Sequence, residues 1–242
     1  MLRLVTALLC VVIFLIVSIP ILLVEWIVGK FNRNARDIHS QKIIQWIFKV
    51  ILVLCGVKLE VEGEEYLPAS GGALYVGNHR SIFDILIVYT RLKAVTGIIS
   101  KKEMGKVPIL AIWMRYINCY FMDRNDIKDG LKMVLSSIEK IKNGIGILIF
   151  PEGTRNKENH TFLPFKGGSF KIAEKSKCDI VPFAIINSAE IFEEHKPFIK
   201  KTRVKLIFGA PIATKDLSKE EFKEIPDKAR NEVIRLYQSH MG

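Results

Sequence analysis

An α/β fold is what this 242-residue sequence predicts: a largely parallel sheet flanked by helices, preceded by an N-terminal membrane-associated two-helix segment. Three observations predict it. From residue 73 to 212, short apolar runs alternate with segments of helical periodicity, the pattern of strands joined by crossover helices. Runs such as Gly146–Phe150 are continuously apolar, as strands covered on both faces of a parallel sheet must be. Ahead of these lie two long apolar stretches separated by a basic one.

Length and charge bound the rest. The chain has room for one substantial domain and an appendage, so residues 1–58 are expected to be a membrane-embedded or interfacial helical segment and 59–242 a single domain. A net charge of +11 calls for an anionic partner. The apolar N-terminus, with no zinc spacing, RNA-binding signature or bounded helix-turn-helix, excludes nucleic acid in favour of an anionic membrane surface and a phosphate-bearing substrate. Cys10, Cys55, Cys119 and Cys178 are scattered without a close pair, so neither disulfides nor a metal site is expected.

From Leu4 to Gly29 the one charged side chain is Glu25, a stretch long enough to cross a hydrocarbon core, with Pro20 expected to kink it. Arg3 is a thin positive region for a signal peptide and no small-x-small cleavage site follows, so the segment is taken as retained. The link Lys30–Lys42 is polar and basic, and Ile43–Leu59, interrupted by Lys49, is a shorter apolar stretch. Two full spans would put the basic link on the far side of the membrane from the domain, against the positive-inside tendency. That leaves a hairpin dipping into one leaflet, or one span with an interfacial second helix. Two buried helices of a soluble protein are the rival, disfavoured because Leu4–Gly29 has no polar face.

Residues 58–70 read as a link, 73–76 as a strand, and Ser81 onward as a helix carrying Ile82, Phe83, Ile85, Leu86 and Val88. His79 then falls in the strand-to-helix turn. On one continuous helix, residues five apart point roughly 140° away from each other, so His79 and Asp84 meet only if His79 precedes the helix and Asp84 lies in its first turn. A carboxylate on one imidazole nitrogen fixes the tautomer and leaves the other to take a proton from a hydroxyl. Ser81-x-x-Asp84 also fits a capping box, in which Asp84 only satisfies backbone donors.

Further along, Lys101 or Lys102 ends the run Val95–Ile99, where a phosphate or plain solvent would meet it. Asn118–Arg124 reads as a strand closing on Asp123-Arg124, either a surface ion pair or an arginine fork for an anion pocket. Residues 126–142 have the spacing of a scaffold helix ending at Asn143-Gly144. The strand Gly146–Phe150 empties into Pro151-Glu152-Gly153-Thr154-Arg155. Acid, glycine, hydroxyl and arginine in four successive positions make a phosphate cradle, and an ordinary polar turn is the alternative. A helix to Lys177, the strand Asp179–Asn187 with Pro182 marking an edge or a bulge, the strand Val204–Phe208 and a helix from Lys219 to Gln238 complete the chain. Lys196, Lys200, Lys201, Arg203 and Lys205 suit either anionic headgroups or a solvated edge.

Asn78-His79-x4-Asp84 resembles the first motif of the glycerolipid acyltransferases, the family that includes 1-acylglycerol-3-phosphate acyltransferase. Residues 118–124 resemble its second motif, with Asn118 where glycine is common. Phe150-Pro151-Glu152-Gly153-Thr154-Arg155 matches its most specific motif unbroken, and Val181-Pro182-Phe183 resembles the fourth. The motifs stand in family order over about residues 70 to 190. The resemblance implies His79 as general base, with Asp84 as its orienting partner, in acyl transfer from acyl-CoA or acyl-carrier protein to the sn-2 hydroxyl of 1-acylglycerol-3-phosphate, giving phosphatidic acid. It implies Arg155, Arg124 and Lys101 as phosphate ligands, Glu152 as orienting Arg155 or the glycerol, Gly153 and Thr154 in the cradle, and Pro182 in the pocket. Glycerol-3-phosphate or another lysolipid is the alternative acceptor. No metal or prosthetic group is expected, because a thioester is already activated. The catalytic domain is expected at the cytoplasmic membrane face. A serine hydrolase is disfavoured because Gly168-Ser169-Phe170 lacks the nucleophile-elbow frame, and a non-catalytic membrane module leaves the paired motifs without a purpose.

Overall fold

A computed structural model describes residues 1–241. A seven-stranded sheet forms its centre, in the order β1 (Val57–Glu62), β7 (Thr202–Phe208), β6 (Ile180–Ile186), β2 (Leu74–Gly77), β5 (Gly146–Ile149), β3 (Thr96–Lys101) and β4 (Tyr120–Met122). Every neighbouring pair is parallel except β6 with β7. The sheet is therefore largely parallel, and β2, β5 and β6 are buried at every position, as their unbroken apolar sequences require.

Alternation along each strand divides the core in two. Tyr75, Val181, Phe183 and Ile185 face one layer with α4 (Phe83–Tyr89) and α5 (Pro108–Tyr116). Leu74, Val76, Ile180 and Ala184 face the other, with α6 (Ile127–Lys142), α7 (Gly167–Ser176) and α9 (Ile225–Ser239). A short helix, α8 (Lys219–Lys223), precedes α9, and Pro226 stands in the first turn of α9, so the C-terminal helix expected as one piece is two.

The N-terminal segment has three helices rather than two: α1 (Leu2–Val17), α2 (Ile19–Phe31) and α3 (Arg33–Cys55). Pro20, at the start of α2, accompanies a 51° bend between α1 and α2. The expected basic link is helical from Arg33, because its polar side chains find partners in the domain. Gln41 donates to Leu92 O and Ala94 O and accepts from Thr96 N, and Asn118 Nδ2 donates to Asp37. Gln45 adds bonds to Tyr89 O and Leu92 O. Ile44, Ile47, Ile51, Leu52 and Cys55 continue that buried stripe. The outer face stays apolar and uncovered: Leu8, Leu9, Ile16, Leu23, Trp26 and Trp46 are exposed. α3, and α1 with α2 taken together, are long and apolar enough to cross a membrane, and an exposed apolar face of this extent marks a membrane-associating segment.

Residues 58–70 are not merely a link, since β1 runs from Val57, two residues before the expected start of the domain at residue 59. Asn118 has φ 59°, a left-handed conformation that asparagine tolerates better than most residues.

Candidate active site

The site lies where β2 and β5 end, at the edge of the sheet to which parallel strands deliver their outgoing turns. β2 closes on Gly77, which a side chain would drive into the ring of Phe183 at 2.2 Å. Asn78 follows and clamps the turn to β6: its side chain donates to Ile185 O and accepts from Ile185 N, at 2.9 and 2.8 Å.

His79 is fixed from every side. Its N–H donates to Glu152 at 2.9 Å, its carbonyl accepts from Asn156 N at 2.7 Å, and its ring stacks on Phe150 with centroids 4.1 Å apart. Nδ1 lies 2.8 Å from Asp84 Oδ2. An ionised Asp84 can only accept, so it takes Nδ1–H and leaves Nε2 with its lone pair. The same oxygen accepts the N–H groups of Arg80 and Ser81, each at 2.7 Å. Capping and dyad are therefore not alternatives. One buried carboxylate closes the turn at the start of α4 and holds the imidazole.

Glu152 is 3% exposed and does not reach Arg155. It accepts from His79 N and from Leu163 N at 3.3 Å, so it braces the backbone of the base and not the guanidinium. Burial pushes its carboxyl above the ordinary 4.5, and the two N–H donors pull the other way.

The cations surround this centre more loosely. Arg155 Nη1 donates to Glu193 Oε1 at 3.0 Å. Arg124 Nη1 donates to Gly153 O at 2.8 Å, and partial burial together with the Arg155 charge pushes its pKa down, a sign that two guanidiniums share the site. Asp123 pairs with Lys102 at 2.7 Å, not with Arg124, so the adjacent Asp-Arg is not an ion pair. Lys101 stands exposed at the end of β3, opposite Met122, two residues before Arg124. Gly153 has φ 75°, and a side chain there would meet Lys166 Nζ at 2.7 Å, which brings a further cation over the loop. Thr154, Arg155, Asn156 and Glu193, with Arg80 and Lys196, line a cavity of about 320 Å³.

Pro182 lies away from this centre. In register with Val76, it faces the layer of α9, while its neighbour Phe183 reaches Phe150 at 5.9 Å. β6 is not an edge strand. Between the bridges Phe183 to Phe208 and Ile180 to Ile212, β6 has two residues and the opposing chain three, so the missing N–H of Pro182 falls at a bulge. Among the described residues no group of three or more His, Cys, Asp or Glu is placed to hold a metal.

Sequence reading missed Asn156, Glu193 and Lys166. Asn156 follows directly on the cradle and carries a turn signal, with its Oδ1 accepting from Glu158 N. Glu193 carries no local signal.

The 1-acyl-sn-glycerol-3-phosphate acyltransferase of Saccharomyces cerevisiae is 28% identical over 204 residues, covering 81% of this chain and 67% of that protein. That of Helicobacter pylori is 29% identical over 221 residues, covering 91% and 90%. In fold, the chain is similar to the crystal structure of the 1-acyl-sn-glycerophosphate (LPA) acyltransferase from Thermotoga maritima, with a TM-score of 0.82 at 23% identity over 99% of this chain and 97% of that one. The Acyltransferase family model matches residues 58–186, a span that begins in β1, ends with β6 and takes in the dyad and the cradle, so the chain belongs to the acyltransferase family.

Proposed function

We propose that the protein transfers a fatty acyl group from an acyl thioester to the sn-2 hydroxyl of 1-acylglycerol-3-phosphate, giving phosphatidic acid. One observation carries the reading: a buried carboxylate on Nδ1 of His79 leaves Nε2 as a proton acceptor beside an arginine-bearing loop. The curated relatives in yeast and Helicobacter pylori are named for this activity. His79 Nε2 takes the hydroxyl proton as the oxygen attacks the thioester carbonyl, and Asp84 stabilises the imidazolium. The tetrahedral adduct then expels the thiolate, which recovers the proton. Arg155, Arg124 and Lys101 bind the acceptor's phosphate, with Gly153 and Thr154 shaping the loop that carries Arg155. The donor's carrier is coenzyme A or acyl-carrier protein, and no resident cofactor takes part because the thioester is already activated.

The helices α1 to α3 embed in one leaflet, and the domain faces the cytoplasm. Support comes from α3, whose buried stripe lies on the domain along its length and would be uncovered if the helix left it to cross the bilayer alone. Lys201 and Arg3 meet at Gly56, where α3 ends: a side chain there would lie 2.7 Å from Lys201 Cγ and 3.5 Å from Arg3 Nε. These cations suit anionic headgroups at the rim of the apolar segment.

An acceptor panel with Arg155→Lys tests the reading. Lysine cannot copy a planar fork, and a charge-assisted bond contributes about 1.5 to 3 kcal/mol. The variant should lose roughly one to two orders of magnitude in kcat/KM for 1-acylglycerol-3-phosphate, mainly through KM. A monoacylglycerol should be a poor substrate and indifferent to the change. Equal losses on both acceptors would remove Arg155 from the phosphate site, and faster acylation of glycerol-3-phosphate would replace the acceptor.

A further inference from the structure

Glu193 belongs to no motif in the sequence and lies beyond the family match at residues 58–186, yet its carboxylate joins the two halves of the site. Oε2 accepts from Ser81 Oγ at 2.6 Å. Oε1 accepts from Ile82 N at 2.9 Å and from Arg155 Nη1 at 3.0 Å. Ser81 and Ile82 open the helix whose first turn carries Asp84, and Ser81 N bonds the same Asp84 oxygen that holds His79. One side chain thus connects the guanidinium to the general base through two further residues. The Glu193 side chain is 14% exposed, whereas that of Arg155 is 44% exposed.

We propose that Glu193 is a positioning residue for the acceptor: it pins Arg155 Nη1 against the start of α4, so that the remaining edge of the guanidinium meets the phosphate in fixed register with His79. The inference rests on Arg155 being a phosphate ligand, as read above. An exposed arginine free to turn must be ordered by the phosphate it binds, which weakens acceptor binding, whereas a guanidinium already pinned at one edge loses little freedom. The cavity holds two carboxylates, Glu193 and Glu194, and a phosphate is tolerable there because Arg80, Arg155, Lys157 and Lys196 outnumber them. Arg80 already has acceptors of its own in Asn159 and Glu194. A carboxylate that only capped α4 would have no need to engage Arg155.

The test is a double-mutant cycle on the full chain in neutral detergent, with Glu193→Ala, Glu193→Gln, Arg155→Ala and the combined variants. Steady-state KM and kcat are measured for 1-acylglycerol-3-phosphate and for the acyl thioester. Glu193→Ala should raise the acceptor KM about tenfold, with a smaller change in kcat and the thioester KM unaltered. Glu193→Gln keeps an acceptor for Ile82 N and loses the charge, so it should raise that KM by about threefold. In the Arg155→Ala background neither change should raise the acceptor KM further. The same rise in that background would overturn the proposal, as would an unchanged acceptor KM accompanied by a lower melting temperature, the signature of a helix cap alone. Should Glu193→Ala fail to fold, the Gln arm carries the same cycle. If Arg155→Ala by itself leaves the acceptor KM unchanged, the phosphate reading falls and this inference with it. If Arg155→Ala raises that KM and the Glu193 variants do not, only the inference falls.

Discussion

The proton-transfer half of the site and the cation half are built to different tolerances. His79 is held through its N–H, its carbonyl, its Nδ1 and its ring, and Asp84 Oδ2 makes three short contacts. By contrast Arg155 has one ion pair, Arg124 one bond to a carbonyl, and Lys101 stands exposed at a strand end. The difference follows from the range of the two interactions. Proton transfer needs heavy atoms within about 3 Å in line, whereas attraction between opposite charges falls off slowly and survives an ångström of slack. The base is fixed before substrate arrives; of the three cations only Arg155 is held by a carboxylate, and the rest of the anion site is completed by its ligand.

Breaking the rigid half gives the largest effect. Asp84→Asn keeps a carbonyl oxygen for the N–H groups of Arg80 and Ser81 but cannot stabilise an imidazolium. We expect kcat to fall by about two to four orders of magnitude, as removal of general-base assistance does. The protein should still unfold cooperatively, with a modest loss of melting temperature. Near-normal turnover would leave Asp84 a cap and nothing more.

Glu152→Gln probes the same half from behind. Its carboxyl is raised by burial, so the folded protein holds that proton more tightly than the unfolded chain does. The associated stability is fully present below the ordinary value of 4.5 and is lost as pH rises through the folded value. Glutamine does not titrate. The melting temperature of Glu152→Gln relative to the parent should therefore shift in the variant's favour as pH rises from about 4 to 7. Over the same range kcat should stay about tenfold low, because one of the N–H groups of His79 and Leu163 then faces a donor. A melting-temperature difference that does not move with pH would mean that Glu152 does not carry the shifted carboxyl.

How far the sequence reveals this depends on where a residue's partners are. The His79 turn and the Glu152–Arg155 loop are legible because each is a local event, a buried run emptying into polar residues. The role of Glu152 is not, since its partner His79 is 73 residues away, and Glu193 reaches 38 and 112 residues back. Asp123 and Arg124 mislead for the opposite reason: adjacency in sequence invites pairing, and Lys102, just past the end of β3, takes the carboxylate. β1 does carry a local signal, with Val57, Leu59 and Val61 alternating with Lys58, Glu60 and Glu62. The polar half of α3 reads as a link because Asp37 and Gln41 are rarely buried, and only the carbonyls of Leu92 and Ala94 and the amide of Asn118 explain why they are. Pro182 reads as a pocket residue by resemblance, whereas the pleat turns it to the opposite face from Phe183.

The smallest expected effect lies in the loose half, and it tests the comparison most directly. Lys101 ends β3 as an exposed side chain, and its neighbour Lys102 is the one engaged by Asp123. Anything Lys101 contributes to a phosphate nearby is therefore long-range attraction through water, which salt screens within about 10 Å at 0.1 M and about 3 Å at 1 M. Lys101→Gln should raise the acceptor KM only about two- to threefold at low ionic strength and leave kcat unchanged. In neutral micelles, where membrane attraction does not enter, that difference should vanish toward 1 M salt. The loss caused by Asp84→Asn should persist there, since its contacts are buried and short. A loss of tenfold or more for Lys101→Gln that salt does not relieve would mean that Lys101 makes a close, desolvated bond to the bound acceptor, and the cation half would then be as tightly built as the base.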